Sequence, residues 1–381
     1  LIAMGRQLLA DPDLPNRLAE GRPDLVRPCI NCFVCVAQNF WSAAPVCAVN
    51  ARLGHQDEPE PTPATTPGHV VVVGGGPGGM EAARVAAERG HRVTLLERSD
   101  HLGGTARFSS LTTPLNGDLV RWLTAAIGEA GVDVRTGTAA SPAMVAALRP
   151  DAVVVATGAV RGRPDVPGAD LPHVLSGDDL RGLLTGDGDL GARRPGPFVR
   201  AALTMGRLLG ITTDLNRVRS LSRRWMPLGR RVVVVGGGLV GTELAEFLAE
   251  RGRTVTVLEE GTHLATEMAH PRRWRALHEA RAHGVDFHTG ARLLAITPDE
   301  VVAEIAPADT DADAGSTEPR EVRFSADAVL LAGGVEPDPS LAEAIGAVLG
   351  DDVEVHVVGD AGTVGYIEGA IRTGHAVGCH L

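Results

Sequence analysis

The sequence predicts an α/β fold with two doubly wound domains in tandem, the second inserted in the first. The main observation is an internal repeat: residues 69–98 and 231–260 each read as a valine-rich strand, a glycine turn, a helix and a second strand. In each copy 23 positions separate the first glycine of the turn from a glutamate that ends the second strand. One βαβ design is therefore used twice.

Three later strands complete this fold prediction. Each copy is followed by an apolar run ending in small residues, 152–158 in the first copy and 328–334 in the second, as expected of a buried parallel strand. A last run, 354–362, leads into a helix that starts near Tyr366. The second copy does not need this strand, so we expect it to complete the first sheet.

The first glycine turn has the spacing of a dinucleotide-binding site. In Gly74-x-Gly76-x-x-Gly79 the first glycine permits a tight turn, the second lets the backbone approach a pyrophosphate, and the third allows close packing of helix on strand. The phosphates would lie over the helix N-terminus, and Glu97 can bond a ribose diol. The alternative is a glycine turn made only for packing.

The second turn repeats this pattern, and tandem dinucleotide domains usually hold one flavin and one nicotinamide. Glu259 would repel a 2′-phosphate, so the sequence favours NADH over NADPH, although Arg251 and Arg253 are close in sequence. A duplicated domain can also lose its ligand and remain as a scaffold, and that alternative stays open. The predicted contacts of this site are Gly236, Gly238, Gly241, Glu259 and Gly333.

Two further motifs indicate which copy holds the flavin. HLGGTAR (101–107) and VVGDAG (357–362) resemble motifs of FAD-binding two-domain reductases. This resemblance implies FAD in the first copy, with Asp360 at the ribityl end of the flavin. The predicted FAD contacts are Gly74, Gly76, Pro77, Gly78, Gly79, Glu97, Arg98, Gly104, Thr105, Arg107, Ala156, Thr157, Gly158, Gly359 and Asp360.

Four of the five cysteines form a motif before the repeat. Two residues separate Cys29 from Cys32 and Cys32 from Cys35, and eleven separate Cys35 from Cys47. Structural zinc sites usually come as two paired knuckles or mix cysteine with histidine, whereas three close thiols and a distant fourth suit a [4Fe–4S] cluster. The spacing favours the cluster, with zinc and unliganded thiols as alternatives. Cys379 stands alone and is expected to be a buried small hydrophobe.

Composition excludes several classes of function. No apolar run among the 381 residues reaches the ~20 that a membrane span needs, and no secretory signal is apparent. A net charge of −11 argues against nucleic-acid binding. Clustered cysteines in a long chain favour a reducing cytoplasm over a secreted disulfide framework. All 36 basic residues are arginine, so Schiff-base lysine chemistry is impossible.

These motifs in this order resemble the C-terminal half of the iron–sulfur flavoenzymes of the old yellow enzyme superfamily, the group of 2,4-dienoyl-CoA reductase and trimethylamine dehydrogenase. The resemblance runs from MGRQLLADPDLPNRLAEGR (4–22) through CINCFVC (29–35) and the Pro-rich connector to both glycine turns. It implies that Gly5 and Arg6 end a (β/α)₈ barrel and bind FMN phosphate, and that the four cysteines hold the cluster. The two-residue spacing between Cys32 and Cys35 is like that of the amine dehydrogenases, so the motif does not assign one branch.

The resemblance also implies a function. Electrons would pass from NADH to FAD, to the [4Fe–4S] cluster, to FMN and then to an activated C=C bond of a small-molecule substrate. Most of the barrel is missing from the sequence, so we expect the catalytic residues to lie upstream of Leu1. The barrel would be supplied in cis or in trans, and the catalytic residues are unknown. A homo-oligomer is possible.

Three other functions stay open. An amine-dehydrogenase-like enzyme would run electrons outward, from substrate through FMN and the cluster to an external carrier. The small subunit of glutamate synthase also places cysteines before tandem domains, but the barrel-like opening and the single compact cysteine group speak against it. A redox-silent nucleotide-binding scaffold is the non-enzyme alternative.

The expected domain limits follow the motifs. The opening helix is predicted at 14–20, connector helices at 199–209 and 215–225, and an acidic hairpin tip at 308–321. The connector at 56–68 is expected to separate the cysteine loop from the first nucleotide domain. The limits are 1–55 for the barrel end with the cysteine loop, 56–68 for the linker, 69–186 for the first part of the FAD domain, 187–230 for an arginine-rich connector, 231–335 for the NAD(P)H domain and 336–381 for the second part of the FAD domain.

Overall fold

The computed structural model of the chain describes residues 3–58, 60–185, 204–206, 214–307 and 318–381. Its contacts divide the chain into two compact units, residues 1–160 with 335–381, and residues 161–334. The chain leaves the first unit through the short strand β5 (Val160–Arg161) and returns through β14 (Val335–Glu336). The second unit is therefore an insertion in the first, as predicted.

The first unit is built on a five-stranded parallel sheet. Its strand order is β15-β4-β1-β2-β3, so the last strand of the chain completes the first sheet, as the sequence predicts. The strands are β1 (His69–Val73), β2 (Arg92–Leu96), β3 (Asp133–Arg135), β4 (Ala152–Val155) and β15 (Glu354–Val357). All five residues of β1 are buried, because helices cover both faces of a parallel sheet.

Helices of the first unit precede, interleave with and follow these strands. They are α1 (Arg6–Ala10), α2 (Leu14–Ala19), α3 (Val34–Ala37), α4 (Pro77–Glu88), α5 (Gly104–Ser109), α6 (Leu115–Glu129), α7 (Pro142–Ala147), α12 (Ser340–Leu349) and α13 (Tyr366–His380), with 3₁₀ turns at Pro23–Leu25, Gln38–Trp41 and Gly359–Ala361. The predicted opening helix is present as α2, and the last helix begins at Tyr366. Residues 3–55, where the sequence suggests the end of a barrel, contain only helices and loops.

The second unit repeats the parallel sheet, in the order β6-β13-β7-β8-β9. Its strands are β6 (Val174–Ser176), β7 (Arg231–Val235), β8 (Thr254–Glu259), β9 (Asp286–Thr289) and β13 (Ala328–Leu331), and its helices are α8 (Gly177–Thr185), α9 (Leu215–Leu221), α10 (Leu239–Ala249) and α11 (His270–Ala282). A three-stranded antiparallel sheet adds β10 (Ala291–Ile296), β11 (Glu300–Ile305) and β12 (Arg320–Ser325). The acidic tip between β11 and β12 lies mostly outside the described residues.

One predicted domain limit is wrong. Residues 161–185 belong to the second unit and not to the first part of the FAD domain, because β6 pairs in parallel with β13, Val174 opposite Val329. A three-residue strand carries too little local pattern to reveal its sheet, which tertiary pairing decides. The connector helix predicted at 199–209 falls largely outside the described residues, and α9 is shorter than the 215–225 expected.

Candidate functional site

The first glycine turn is shaped by contacts that exclude side chains at two of its positions. Gly74 has φ +111°, and a Cβ there would collide with the carbonyl oxygen of Ala156. A Cβ on Gly79 would collide with the carbonyl oxygen of Gly74. A Cβ on Gly76, by contrast, would meet nothing within 4 Å. The two outer glycines therefore build the turn, and the middle glycine leaves open space in front of the N-terminus of α4, where a pyrophosphate fits.

Glu97 braces this turn from the end of β2. Its buried carboxylate accepts hydrogen bonds from the backbone N–H of Gly75 and of Ser99, each at 2.7 Å. A carboxylate has about four acceptor positions, so these two bonds leave capacity for ribose hydroxyls. The predicted ribose contact thus also holds the loop that it serves.

The other predicted FAD residues surround the same turn. The N–H of Gly103 donates to the carbonyl of Gly75 at 2.8 Å, which places Gly104, Thr105 and Arg107 in α5 beside it. Arg98 and Thr157 are exposed, and Pro77 and Gly78 form the first turn of α4. Gly158 has open space around it.

Asp360 makes contacts that the sequence did not suggest. Its Oδ1 accepts from the N–H of Gly365 at 2.9 Å and of Tyr366 at 3.1 Å, so it caps α13. The N–H of Gly359 donates to the Thr373 hydroxyl of the same helix at 2.8 Å. The aspartate is therefore held in place by the last helix, with acceptor capacity on its other oxygen.

The second glycine turn is built in the same way. Gly236 has φ +102°, and a Cβ on Gly241 would collide with the carbonyl oxygen of Gly236. Glu259 accepts from the N–H of Gly237 at 2.6 Å and of Gly261 at 2.8 Å. Gly333 passes next to Gly236, with its nitrogen 3.0 Å from where a Cβ would be. The middle glycine, Gly238, differs from Gly76, because a Cβ there would lie 2.7 Å from the Oε1 of Glu267.

Arg251 and Arg253 are committed elsewhere in the second unit. Buried Arg251 donates to the Ser222 hydroxyl at 2.8 Å and lies over the Phe247 ring at 3.5 Å. Arg253 donates to the carbonyls of Met226 at 3.2 Å and Leu228 at 3.3 Å. These bonds hold both guanidinium groups against the connecting segment. Neither arginine is therefore placed to offset the negative charge of Glu259, on which the predicted preference for NADH depends.

The cysteine loop is anchored by α1. The Gln7 side chain donates to the carbonyl of Arg27 and accepts from the N–H of Cys29, both at 2.8 Å. Cys29, Cys32 and Cys47 pack against a core that also contains Val70, Met80 and Leu123 of the nucleotide-binding domain. The connector therefore does not separate the loop from that domain.

The four thiols are neighbours with a shared electrostatic cost. Burial, followed by the charges of the other cysteines, raises the pKa of Cys32 to about 11, and burial also raises the pKa of Cys35 and Cys47. Holding four thiolates here needs a polynuclear or divalent cation. Four thiolates are the ligand set of a [4Fe–4S] cluster, with one thiolate on each iron, and also of some structural zinc sites.

Arg6, the predicted FMN phosphate ligand, lies beside this loop. Its guanidinium is 4.3 Å from the centroid of the Phe33 ring, and its charge favours the thiolate of Cys35. One of its buried nitrogens has no hydrogen-bond partner among the described residues. Gly5 precedes it as the N-cap of α1. A half-buried cation with an unused donor fits an anionic group on this side of the cysteines.

Sequence reasoning missed a buried charge network behind the cysteine loop. Glu81 of α4 is bonded twice by Arg84, at 2.6 and 2.9 Å, and contacts His375 Nδ1 at 3.2 Å. Arg27, two residues before Cys29, lies over the Trp122 ring at 4.6 Å. Burial alone would raise the pKa of Glu81, but Arg84, His375 and Arg27 together hold it far below its usual value. The sequence signal was a glutamate and an arginine three apart on an otherwise apolar helix face.

With this geometry established, comparison with known proteins identifies the family. A model of the pyridine nucleotide-disulphide oxidoreductases matches residues 37–146 and 68–361. The chain belongs to this family. Its domains are of the Rossmann-type α/β class, and the predicted fold class is confirmed. No helix in the described ranges combines the length and hydropathy needed to cross a membrane.

Individual relatives extend the likeness over the whole chain. NADH oxidase of Thermoanaerobacter brockii is 33% identical over 388 residues, covering 99% of this chain and 51% of that protein. Bilirubin reductase of Mediterraneibacter gnavus (strain CC55_001C) is 34% identical over 346 residues, covering 89% and 45%. A solved complex of 2-naphthoyl-CoA reductase with 2-naphthoyl-CoA matches with a TM-score of 0.78 at 29% identity, covering 99% and 50%.

These matches support the predicted relation to the C-terminal, flavin oxidoreductase half of the old-yellow-enzyme-like proteins, and the branch within that group stays a prediction. The chain spans about half the length of the relatives it matches. No cysteine lies between Cys47 and Cys379, so neither nucleotide domain can use a redox disulfide.

Proposed function

We propose that this chain is the electron-input half of an NADH-dependent flavin and iron–sulfur oxidoreductase that reduces an activated C=C bond of the enoyl or dienoyl type. The observation that carries the proposal is the packing of the cysteine loop on the core of the first nucleotide domain. Since neither nucleotide domain contains a pair of cysteines, the cysteine loop would be the acceptor for electrons leaving the flavin. The barrel, its FMN and the substrate acid would come from outside the described chain.

Named residues would hold each group. FAD would lie with its pyrophosphate over Gly76 at the start of α4 and its ribose at Glu97; the cluster would take Cys29, Cys32, Cys35 and Cys47. When bound, FAD would supply hydride acceptance and the cluster single-electron transfer. The chain's own contribution is to bind and orient: Gln7 fixes the backbone before Cys29, and Glu97 fixes the glycine turn.

The reductase direction is favoured by the intact second site. Its turn keeps the geometry of the first, and Glu259 holds the position of a ribose contact. An outward-electron, amine-dehydrogenase-like enzyme would need no nucleotide there, and a redox-silent scaffold would need no cluster. Reduction of bound FAD by NADH is therefore the distinguishing property.

The test uses the full chain purified anaerobically with FAD. Flavin absorbance bands with a broad iron–sulfur shoulder, bleached by NADH, are expected. Flavin and iron without bleaching would favour outward electron flow, and a protein that binds neither flavin nor iron would favour the scaffold. Glu321→Gln, an exposed change on β12, serves as a matched control that keeps the bleaching.

A further inference from the structure

The two nucleotide turns are joined to the following loop in the same way. Positions 162 apart correspond, as Gly76 does to Gly238. The N–H of Gly103 donates to the carbonyl of Gly75 at 2.8 Å, and the N–H of the corresponding Ala265 donates to the carbonyl of Gly237 at 2.8 Å. In both copies the loop after the second strand is thus hydrogen-bonded to the glycine turn. The residues that follow this bond therefore lie at corresponding positions near the turn.

Two positions further on, the copies differ in charge. The first has Thr105 and the second has Glu267. The Oε2 of Glu267 accepts from the N–H of Leu239, the first residue of α10, at 3.1 Å. Its Oε1 is 2.7 Å from where a Cβ on Gly238 would be, whereas the same construction on Gly76 meets nothing within 4 Å.

We propose that the carboxylate of Glu267 occupies the place of the nucleotide pyrophosphate in the second site, and that NADH binds by displacing it. This inference rests on the proposed function, in which the second turn binds NADH. A helix N-terminus attracts one anion to its free N–H groups, and a carboxylate and a pyrophosphate cannot share them. Glu267 is exposed, so its side chain can rotate into solvent without disturbing the core.

Displacement of Glu267 explains how one site can retain its ligand while the other exchanges it. FAD must stay bound through every turnover, and its site has a neutral Thr105 and open space at Gly76. NAD⁺ must leave after each turnover, and a carboxylate that returns to the N–H of Leu239 competes with it. Glu267 is therefore a determinant of nucleotide affinity and exchange in the second site.

The test is a titration of NADH into the FAD-loaded full chain by isothermal calorimetry. Glu267→Gln removes the charge at nearly constant size, and Glu267→Thr installs the residue of the first copy. Each is expected to lower the Kd for NADH three- to tenfold, a tenfold change corresponding to about 1.4 kcal/mol. Glu321→Gln removes an exposed charge from β12 of the same unit and is expected to leave the Kd unchanged.

A reciprocal exchange tests the same idea in the first copy. Thr105→Glu is expected to lower FAD affinity at least tenfold more than Thr105→Gln does, because only the glutamate brings a competing anion to the start of α4. NADH binding by the Glu267 variants but not by the unmodified protein would support the inference.

Two results would count against it. Equal Kd values in the unmodified protein and both Glu267 variants, with measurable binding, overturn the inference and leave the proposed function standing. Absence of NADH binding in all three proteins overturns both. An equal gain in affinity from Glu321→Gln would reduce the effect to net charge and also overturn the inference.

Discussion

Glu97 and Glu259 each brace a glycine turn, and each is also the proposed ribose contact of its site. Both accept two backbone N–H bonds, one from the glycine turn and one from the residue two positions after the glutamate. Single residues then separate the two sites: open space at Gly76 against the Glu267 carboxylate at Gly238. In our proposal, single side chains therefore determine which ligand stays bound and which exchanges.

Replacing Gly76 with alanine separates ligand binding from folding. The backbone there has φ −76° and free space, so the apoprotein should lose about 1 kcal/mol or less at this N-cap. The added methyl group lies where the pyrophosphate approaches, so FAD affinity should fall at least about tenfold. Flavin fluorescence titration measures the affinity, and thermal unfolding of the apoprotein measures the stability.

Gly79→Ala is the contrasting variant, because its Cβ collides with the backbone of Gly74 and the first unit should unfold. If Gly76→Ala retains full FAD affinity, the pyrophosphate lies elsewhere.

Glu259 should set the preference for NADH over NADPH. A unit charge pair at ~4 Å and an effective dielectric constant of ~20 costs about 4 kcal/mol before relaxation, and a tenth to a half of that gives a severalfold preference. Stopped-flow bleaching of FAD should be severalfold faster with NADH, and Glu259→Arg should narrow or reverse the difference.

Glu259→Gln keeps an acceptor for the N–H of Gly237 and removes the charge, so it separates the loss of the brace from the loss of repulsion. Because Arg251 and Arg253 are bonded into the connecting segment, a preference for NADPH in the unmodified protein would contradict the role given to Glu259.

At the scale of elements, α4 carries a buried ion pair under the nucleotide turn. Glu81 and Arg84 are almost fully buried, and His375 of α13 contacts the same carboxylate. The charges tie α4 to α13, the helix whose first turn Asp360 caps. The network thus connects the two parts of the first unit that the insertion separates in sequence.

Glu81→Gln should lower the free energy of unfolding by about 3 kcal/mol, since it leaves a buried guanidinium without its main partner. The folded-state pKa of Glu81 is depressed, so its contribution is fully present above the unfolded pKa of about 4.3 and is lost as pH falls through the folded value. Urea unfolding between pH 7 and pH 3 should therefore be less pH-dependent in the variant.

Glu88→Gln is the matched control on the same helix. Glu88 also pairs with Arg84 but is half exposed, so a loss below about 1 kcal/mol is expected. Equal losses in the two variants would contradict the assignment of the stabilisation to the buried carboxylate.

At the scale of the whole molecule, the cysteine loop and the first nucleotide domain form one folding unit. Cys32→Ala should therefore abolish the cluster, reducing iron from about four per chain to none. It should also lower the melting temperature of the FAD-binding unit, because Cys32 packs on the shared core. Metal analysis and thermal unfolding of anaerobic protein measure the two effects.

Cys379→Ala is the control for Cys32→Ala. Cys379 is half-buried in α13, 3.6 Å from His375, and its replacement should leave the iron content unchanged. One zinc per chain without iron in the unmodified protein would contradict the cluster.

The sequence by itself determined the features whose causes are local. Glycine spacing fixed both turns, because Gly74 and Gly236 need positive φ at the first position of each turn. Counting strands placed β15 in the first sheet, and thiol spacing predicts a cluster in the cysteine loop. The turns and the thiol motif needed only neighbours within a few tens of residues, whereas the placement of β15 needed a count of strands over the whole chain.

Tertiary structure decided what depends on contacts between distant segments. Nothing local in residues 174–176 says that they pair with β13, and nothing in the Pro-rich connector says that Cys47 packs on the core around Met80. The hydrogen bonds of Arg251 to Ser222 and of Leu239 to Glu267 likewise join side chains to partners in distant loops and helices. Spacing along the chain reports which backbone shapes are possible, whereas packing and charge pairing select which side chains reach a site.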